Sequence, residues 1–214
     1  MENEKIETVN ENAEAANEKA ETKPVKSKNK KLKEAFSTVL YFLIVLLVTW
    51  FLITFVIQRT VVEQSSMETT LQSGDSLLVD KISYRFTEPK RFEIIIFPYK
   101  LSEKKTYYIK RVIGLPGETV RIDYDGNIYI NGEVLEEDYG REVIQPNSTW
   151  SAKMDKGITL ADDEYFVLGD NRNNSVDSRF DNVGAIKRDE IIGRAILRIY
   201  PFNKFGKIGK SGAE

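Results

Sequence analysis

The residue types missing from this chain limit the chemistry it can perform. Its 214 residues include no His and no Cys. Disulfides, Cys-His catalysis, Ser-His-Asp catalysis and zinc sites built from thiolates and imidazoles are therefore excluded. If the chain is a hydrolase, its general base must be a Lys, Asp, Glu or Tyr, and we expect no cofactor.

A serine and a lysine are the candidates for such chemistry. Ser66 lies in the hydroxyl-rich segment QSSMETTL at 64–71, and Lys110 lies between aromatic and β-branched residues in YYIKRVI at 107–113. An amine in an apolar pocket loses its proton readily and can then activate a hydroxyl. Residue types alone do not decide whether Ser66 and Lys110 form a catalytic pair, since a Ser-rich loop usually has no catalytic role and a lysine on a strand usually faces solvent.

One apolar segment predicts a membrane span. Residues 36–57 read FSTVLYFLIVLLVTWFLITFVI and carry no charge. As a helix the segment would reach about 33 Å, enough to cross a bilayer. A cleaved secretory signal is the alternative, but the segment is longer than an h-region and no Ala-x-Ala-like site follows it. Lysines crowd its N-terminal side and Arg59 stands alone after it, which predicts a cytoplasmic N-terminus and a domain on the outer face of the cytoplasmic membrane.

The residues after the span predict a mostly β domain. Short apolar runs alternate with turn signals, and Asp125-Gly126 and Asn131-Gly132 separate alternating segments as hairpin turns do. We expect an antiparallel, partly closed β fold, with at most a helical turn at 187–190 and no further amphipathic helix.

The composition also predicts the domain bounds. We expect a disordered cytoplasmic tail at 1–34, a transmembrane anchor at 35–58, an extracytoplasmic β domain at 59–203 and a flexible tail at 204–214. The formal net charge of −2 offers no basic excess for phosphates, so we expect no nucleic-acid partner.

Three stretches, in order, resemble the boxes of bacterial type I signal peptidases. They are SMETTL at 66–71 with Gly74-Asp75 after it, YIKRVIGLPGE at 108–118 and GDNRNNSVDSR at 169–179. With the apolar segment, the resemblance covers roughly residues 36–200. It implies the signal-peptidase fold, which self-cleaving repressors of the LexA kind share.

The resemblance assigns the two candidates their roles. It implies that Ser66 is the nucleophile and that Lys110 is the base that takes its proton and later activates the deacylating water. The oxyanion would be met by the Ser66 backbone N–H and one further donor.

Supporting roles follow from the third box. The resemblance implies that Ser175 hydrogen-bonds and orients the Lys110 amine. It also implies that Asp177 and Arg179 form an ion pair and that Asp170 supports the loop.

Two positions depart from the family pattern. Thr69 stands where Pro is usual, and Gln64 stands where Ser or Gly is common. The Gln64 amide would either donate to the oxyanion or crowd the site, whereas Met67 is expected to line the substrate pocket. These departures keep open an alternative function, a catalytically weak or inactive assembly factor for surface structures.

The expected function is a membrane-bound serine endopeptidase that removes signal peptides from exported preproteins. Its partners would be preproteins with Ala-x-Ala-like cleavage sites, bound as an added strand, and the lipid bilayer. We expect a monomer. A self-cleaving repressor would share the Ser-Lys pair, but such repressors are soluble and carry a DNA-binding region, and the apolar segment argues against them.

Overall fold

A computed structural model describes residues 26–99, 106–147 and 149–208. The chain divides into two units, one that ends at Thr49 and one that begins at Trp50. Helix α1 spans Lys26–Phe51 and continues as a π-helical turn over Leu52–Val56. Within it, Lys30–Val56 is long and apolar enough to cross a membrane.

The helix begins earlier than the sequence analysis placed the anchor. It starts at Lys26, inside the stretch expected to be a disordered tail. Lys, Leu and Glu are good helix formers and Pro24 is the last proline before this stretch, so nothing interrupts the helix on that side. The predicted tail at 1–25 lies outside the described residues.

Twelve strands follow, and every pairing between them is antiparallel. In chain order they are β1 Ile57–Val61, β2 Ser76–Asp80, β3 Ile94–Pro98, β4 Tyr107–Gly114, β5 Thr119–Ile122, β6 Ile128–Ile130, β7 Glu133–Val134, β8 Ile158–Thr159, β9 Glu164–Leu168, β10 Ile186–Lys187, β11 Gly193–Tyr200 and β12 Gly206–Lys207.

The strands form two open sheets. The larger has the order β1-β2-β11-β3-β4-β9-β10, with β12 beside β11, and the smaller has the order β7-β6-β5-β8. The mostly β, antiparallel prediction is confirmed, but neither sheet closes among the described strands. β1 therefore keeps one edge that pairs with no other described strand.

The predicted hairpin turns are present where the sequence signals are strongest. Asn131 and Gly132 join β6 to β7 with φ values of 52° and 91°, as a two-residue turn with two left-handed positions requires. Gly126, with φ 84°, lies in the turn between β5 and β6. The predicted helical turn also occurs, as a 3-10 turn over Arg188–Glu190.

Two short elements were not predicted. Helix α2 spans Ser151–Lys156, and burial of Trp150 and Met154 in the core stabilises a helix too short to show a periodic pattern. β12 pairs with β11 at Leu197 and Arg198, so order extends past the predicted boundary at 203. Residues 209–214 of the predicted tail lie outside the described residues.

Candidate active site

The serine is held by a tight turn fixed from both sides. Ser66 lies in a 3-10 turn, Ser65–Met67, shortly after β1. Met67 and Leu71 are fully buried in one apolar cluster, and the Leu71 N–H donates to the Met67 carbonyl at 2.8 Å. From the other side, the Asn171 N–H donates to the Ser66 carbonyl at 3.0 Å. The turn is therefore anchored by the core and by the third box.

The lysine reaches that serine from the middle of a central strand. Lys110 lies on β4, opposite Ile95 of β3, and only 1% of its surface is exposed, compared with 7% for Ser66. Its Nζ lies 2.7 Å from Ser66 Oγ and 3.3 Å from the Ile109 carbonyl oxygen. The two groups, 44 residues apart in sequence, are thus in direct hydrogen-bond contact, and both side chains are buried.

Burial makes this amine a usable base near neutral pH. Desolvation lowers the pKa of Lys110 from its ordinary 10.5 to about 8, although the Asp177 and Asp170 carboxylates oppose the shift by favouring the charged form. About a tenth of the molecules would carry a neutral Lys110 at pH 7. In that form Nζ can accept the proton of the Ser66 hydroxyl.

Asp170 supports the site through a residue that the sequence analysis did not identify. Arg111 donates to it through Nε at 2.8 Å and through Nη2 at 2.7 Å, and both side chains are buried. Thr70 donates to the same carboxylate at 2.5 Å, while the Arg111 guanidinium lies 3.7 Å from the centre of the Tyr139 ring. Thr70, Arg111 and Asp170 together join the three boxes, since each box contributes one of them.

A second buried ion pair holds the backbone around Gly169. Arg179 contacts both oxygens of Asp177, at 2.8 and 2.9 Å, and the Gly169 N–H donates to Asp177 at 3.1 Å. Arg179 also donates to the Arg172 carbonyl at 2.5 Å. Arg172 in turn donates to Glu137 at 2.7 Å, a contact that the sequence analysis missed because nothing in the motif points to Glu137.

Ser175 lies beside the site without the hydrogen bond expected of it. Its Oγ is buried and makes no hydrogen bond within the part of the chain that the structure describes. A Cβ added at Gly169 would collide with this Oγ and with the Ser66 carbonyl oxygen. Ser175 is therefore packed close to the turn that carries Ser66, and its role in orienting Lys110 stays a proposal.

A groove opens directly at the serine. Its volume is about 380 Å³. It is lined by residues 58–64 together with Ser66, Met67, Thr106, Tyr107 and Ile109. Gln64 is exposed at this groove, immediately before the 3-10 turn, and Met67 contributes to both the groove and the core.

A serine hydroxyl held against a buried amine is the arrangement of a serine hydrolase that works without histidine. The chain belongs to the family described as "Signal peptidase, peptidase S26", whose model matches residues 35–200. It is therefore a serine endopeptidase of this family, and the family supports the removal of signal peptides as its function.

Two similar proteins agree with this membership. The chain is 41% identical to a probable signal peptidase I-2 of Synechocystis sp. over 157 residues, which cover 72% of this chain and 67% of that protein. It is 40% identical to the signal peptidase I of Bacillus caldolyticus over 161 residues, 71% of this chain and 84% of that protein. The crystal structure of a signal peptidase I from Enterococcus faecalis is also similar. The match covers 50% of this chain and 97% of that one, with 37% sequence identity and a TM-score of 0.40.

Proposed function

We propose that this protein is a membrane-bound signal peptidase in which Ser66 is the nucleophile and Lys110 is the general base. The observation that carries the proposal is the 2.7 Å contact between Lys110 Nζ and Ser66 Oγ, made by an amine whose pKa burial lowers to about 8. A neutral amine at hydrogen-bond distance can deprotonate the hydroxyl as it attacks.

The reaction would proceed through an acyl-enzyme. Lys110 takes the proton as Ser66 Oγ bonds to the scissile carbonyl carbon, and the resulting ammonium then protonates the leaving amine as the peptide bond breaks. Lys110, now neutral again, takes a proton from water as the water oxygen attacks the ester carbon. The bond between that carbon and Ser66 Oγ then breaks, the carboxylic product leaves, and Lys110 returns the proton to Ser66 Oγ. The Ser66 backbone N–H and a second donor, for which the Gln64 side chain at the groove is a candidate, would stabilise the oxyanion.

The groove beside Ser66 would hold the substrate as an extended strand. β1 pairs only with β2 among the described strands, so its outer edge offers free backbone groups to an added chain. Met67 lines this groove and would limit the size of the side chains it accepts. We propose that Ala-x-Ala-like sites fit there for this reason.

The span would anchor the enzyme with its catalytic domain on the outer face. Lys30, Lys31 and Lys33 precede the apolar part of α1, whereas Arg59 alone follows it closely. This asymmetry favours a cytoplasmic N-terminus. The bounds proposed for the span and the exported domain are 35–58 and 59–203, and the enzyme would act as a monomer.

Cleavage of a preprotein by the purified full chain tests the dyad. Wild type should release the signal peptide, whereas Ser66→Ala and Lys110→Met should each lose cleavage. Ser73→Ala and Lys90→Met serve as matched controls because both side chains are exposed. Full activity in either dyad variant would refute the assignment, and an inactive wild type would favour the alternative of an assembly factor.

Single cysteines can test the orientation because the chain has none of its own. In intact cells, an impermeant maleimide should label Ser73→Cys but should label Lys31→Cys only after the membrane is permeabilised. The reverse pattern would contradict the proposed topology.

A further inference from the structure

A second cavity lies at the end of the candidate span. Its volume is about 270 Å³, and none of its lining residues borders the groove at Ser66. Phe55, Tyr84 and Ile191 provide apolar surface, whereas Lys81, Arg85 and Arg188 provide cations. A cavity with an apolar wall and several cations fits a ligand that joins an anionic group to hydrocarbon.

Backbone contacts fix this cavity next to the last turn of the span. Phe55 belongs to the π-helical turn that ends at Val56, where the candidate span also ends. The Lys81 N–H donates to the Val56 carbonyl at 3.0 Å, and Lys81 Nζ donates to the Thr54 carbonyl at 3.4 Å. If the span crosses the bilayer, the cavity therefore lies at the level of the lipid headgroups.

Two of the three cations form no ion pair with any residue that the structure describes. The charge of Arg188 is paired within the protein, since Arg188 donates to the Glu88 carboxylate at 2.6 Å and to the Tyr84 carbonyl. Arg85 is exposed and forms no ion pair or side-chain hydrogen bond within the described residues. Within the same residues, the Lys81 Nζ hydrogen-bonds only to the Thr54 backbone carbonyl.

The remaining charge at the cavity is a single acid. Asp189 is exposed and lines the same cavity, so it can offset only one of the two unpaired cations. The exposed side chain of Phe86, next to Arg85, adds apolar surface, with 81% of its area accessible. The cavity thus keeps a net positive charge beside hydrocarbon-like surface.

We propose that this cavity binds the phosphate of an anionic phospholipid headgroup, with Lys81 and Arg85 as the phosphate ligands and Phe55 against the glycerol and acyl carbons. The proposal rests on the membrane anchoring proposed above. A phospholipid satisfies both features of the cavity, because the phosphate meets the cations and the chain carbons cover the apolar wall.

Lipid retention by the full chain in nanodiscs tests this site. The discs contain phosphatidylcholine with a minor fraction of phosphatidylglycerol, and native mass spectrometry counts the phosphatidylglycerol that stays bound. The test variant is Lys81→Gln/Arg85→Gln. The control is Lys156→Gln/Lys207→Gln, which removes the same charge from exposed positions outside the cavity. Arg85→Gln alone is a second test variant, since the Arg85 side chain has no ion pair or hydrogen bond to lose among the residues that the structure describes.

The expected result is selective loss in the cavity variants. With each cation near an anionic surface worth about fivefold, the double variant should bind phosphatidylglycerol roughly 30-fold more weakly than wild type. Arg85→Gln should lose about fivefold, and the control should stay close to wild type because distant exposed charges are screened. All variants should still cleave a soluble peptide substrate, which shows that they are folded.

Four outcomes would overturn the proposal. Equal loss in the control would mean general electrostatic attraction without a site. Displacement of the lipid by inorganic phosphate alone would assign the cavity to a free anion. If the chain enters the discs but shows no headgroup preference, the lipid site is refuted and the proposed membrane anchoring stands. If the chain fails to enter the discs, both the lipid site and the membrane anchoring are refuted.

Discussion

Replacing Lys110 with methionine should make the protein more stable at neutral pH while abolishing its activity. The side chain is buried at 1% exposure, and its pKa falls from 10.5 to about 8 on folding. That shift means that the charged amine destabilises the fold by about 3 kcal/mol at pH 7. Methionine has a similar length and no charge, and loss of the bond to Ser66 would cost about 1 kcal/mol. A net gain of about 2 kcal/mol is expected.

The gain should depend on pH in a defined direction. Between pH 8 and 10.5 the unfolded chain carries a proton on Lys110 that the folded chain has lost, so wild-type stability rises with pH across this window. Below pH 8 both states carry the proton and the cost stays constant. The advantage of Lys110→Met should therefore shrink by about 2 kcal/mol between pH 7 and pH 10.

Denaturant unfolding of the full chain in detergent measures this difference. Trp150 is 2% exposed inside the β domain, so its fluorescence reports loss of that core. Lys90→Met, at an exposed position, controls for the general effect of removing a lysine. A Lys110→Met variant no more stable than wild type at pH 7, or a difference that does not change with pH, would refute the reasoning.

Three further predictions concern activity and the supporting contacts. The kcat/KM for a signal-peptide substrate should rise with pH through about 8, because only neutral Lys110 can act as the base; a profile flat from pH 6 to 9 would count against it. Asp170→Asn should destabilise the β domain by roughly 3 to 5 kcal/mol, since it leaves Arg111 buried without its counter-charge; unfolding that matches wild type would contradict this. Gly169→Ala should lower kcat by about 100-fold, because the added Cβ displaces the turn that carries the nucleophile, whereas Gly206→Ala has open space around its Cβ and should stay active.

The sequence predicted elements that local signals determine. An uninterrupted apolar segment indicated the helix, and Asn131-Gly132 indicated a tight hairpin because only such residues adopt two left-handed positions easily. Helix α2 has no such signal, because its six residues depend on burial of Trp150 and Met154. That neither sheet closes among the described strands was also unpredictable, since closure depends on which strand edges meet in space.

Sequence motifs identified the residues of the candidate site better than they identified the ion pairs and hydrogen bonds between them. The boxes indicated Ser66 and Lys110, and the structure brings the two into contact across 44 positions. Arg111 occurs inside a box, but its partner Asp170 lies 59 positions away and no local pattern links them. Glu137, which pairs with Arg172, lies outside all three boxes. The hydroxyl of Ser175 shows the same limit, because the motif predicts a hydrogen bond that its Oγ does not make within the described residues.

Titration of the Lys110 amine itself tests the central claim most directly. Nitrogen-15 NMR of lysine Nζ in the full chain in detergent, assigned with the Lys110→Met variant, should show one amine that loses its proton near pH 8. The kinetic pKa of kcat/KM should coincide with it. A Lys110 amine that titrates near 10.5, like an exposed lysine, would contradict the account, because it would leave Ser66 without a base at physiological pH.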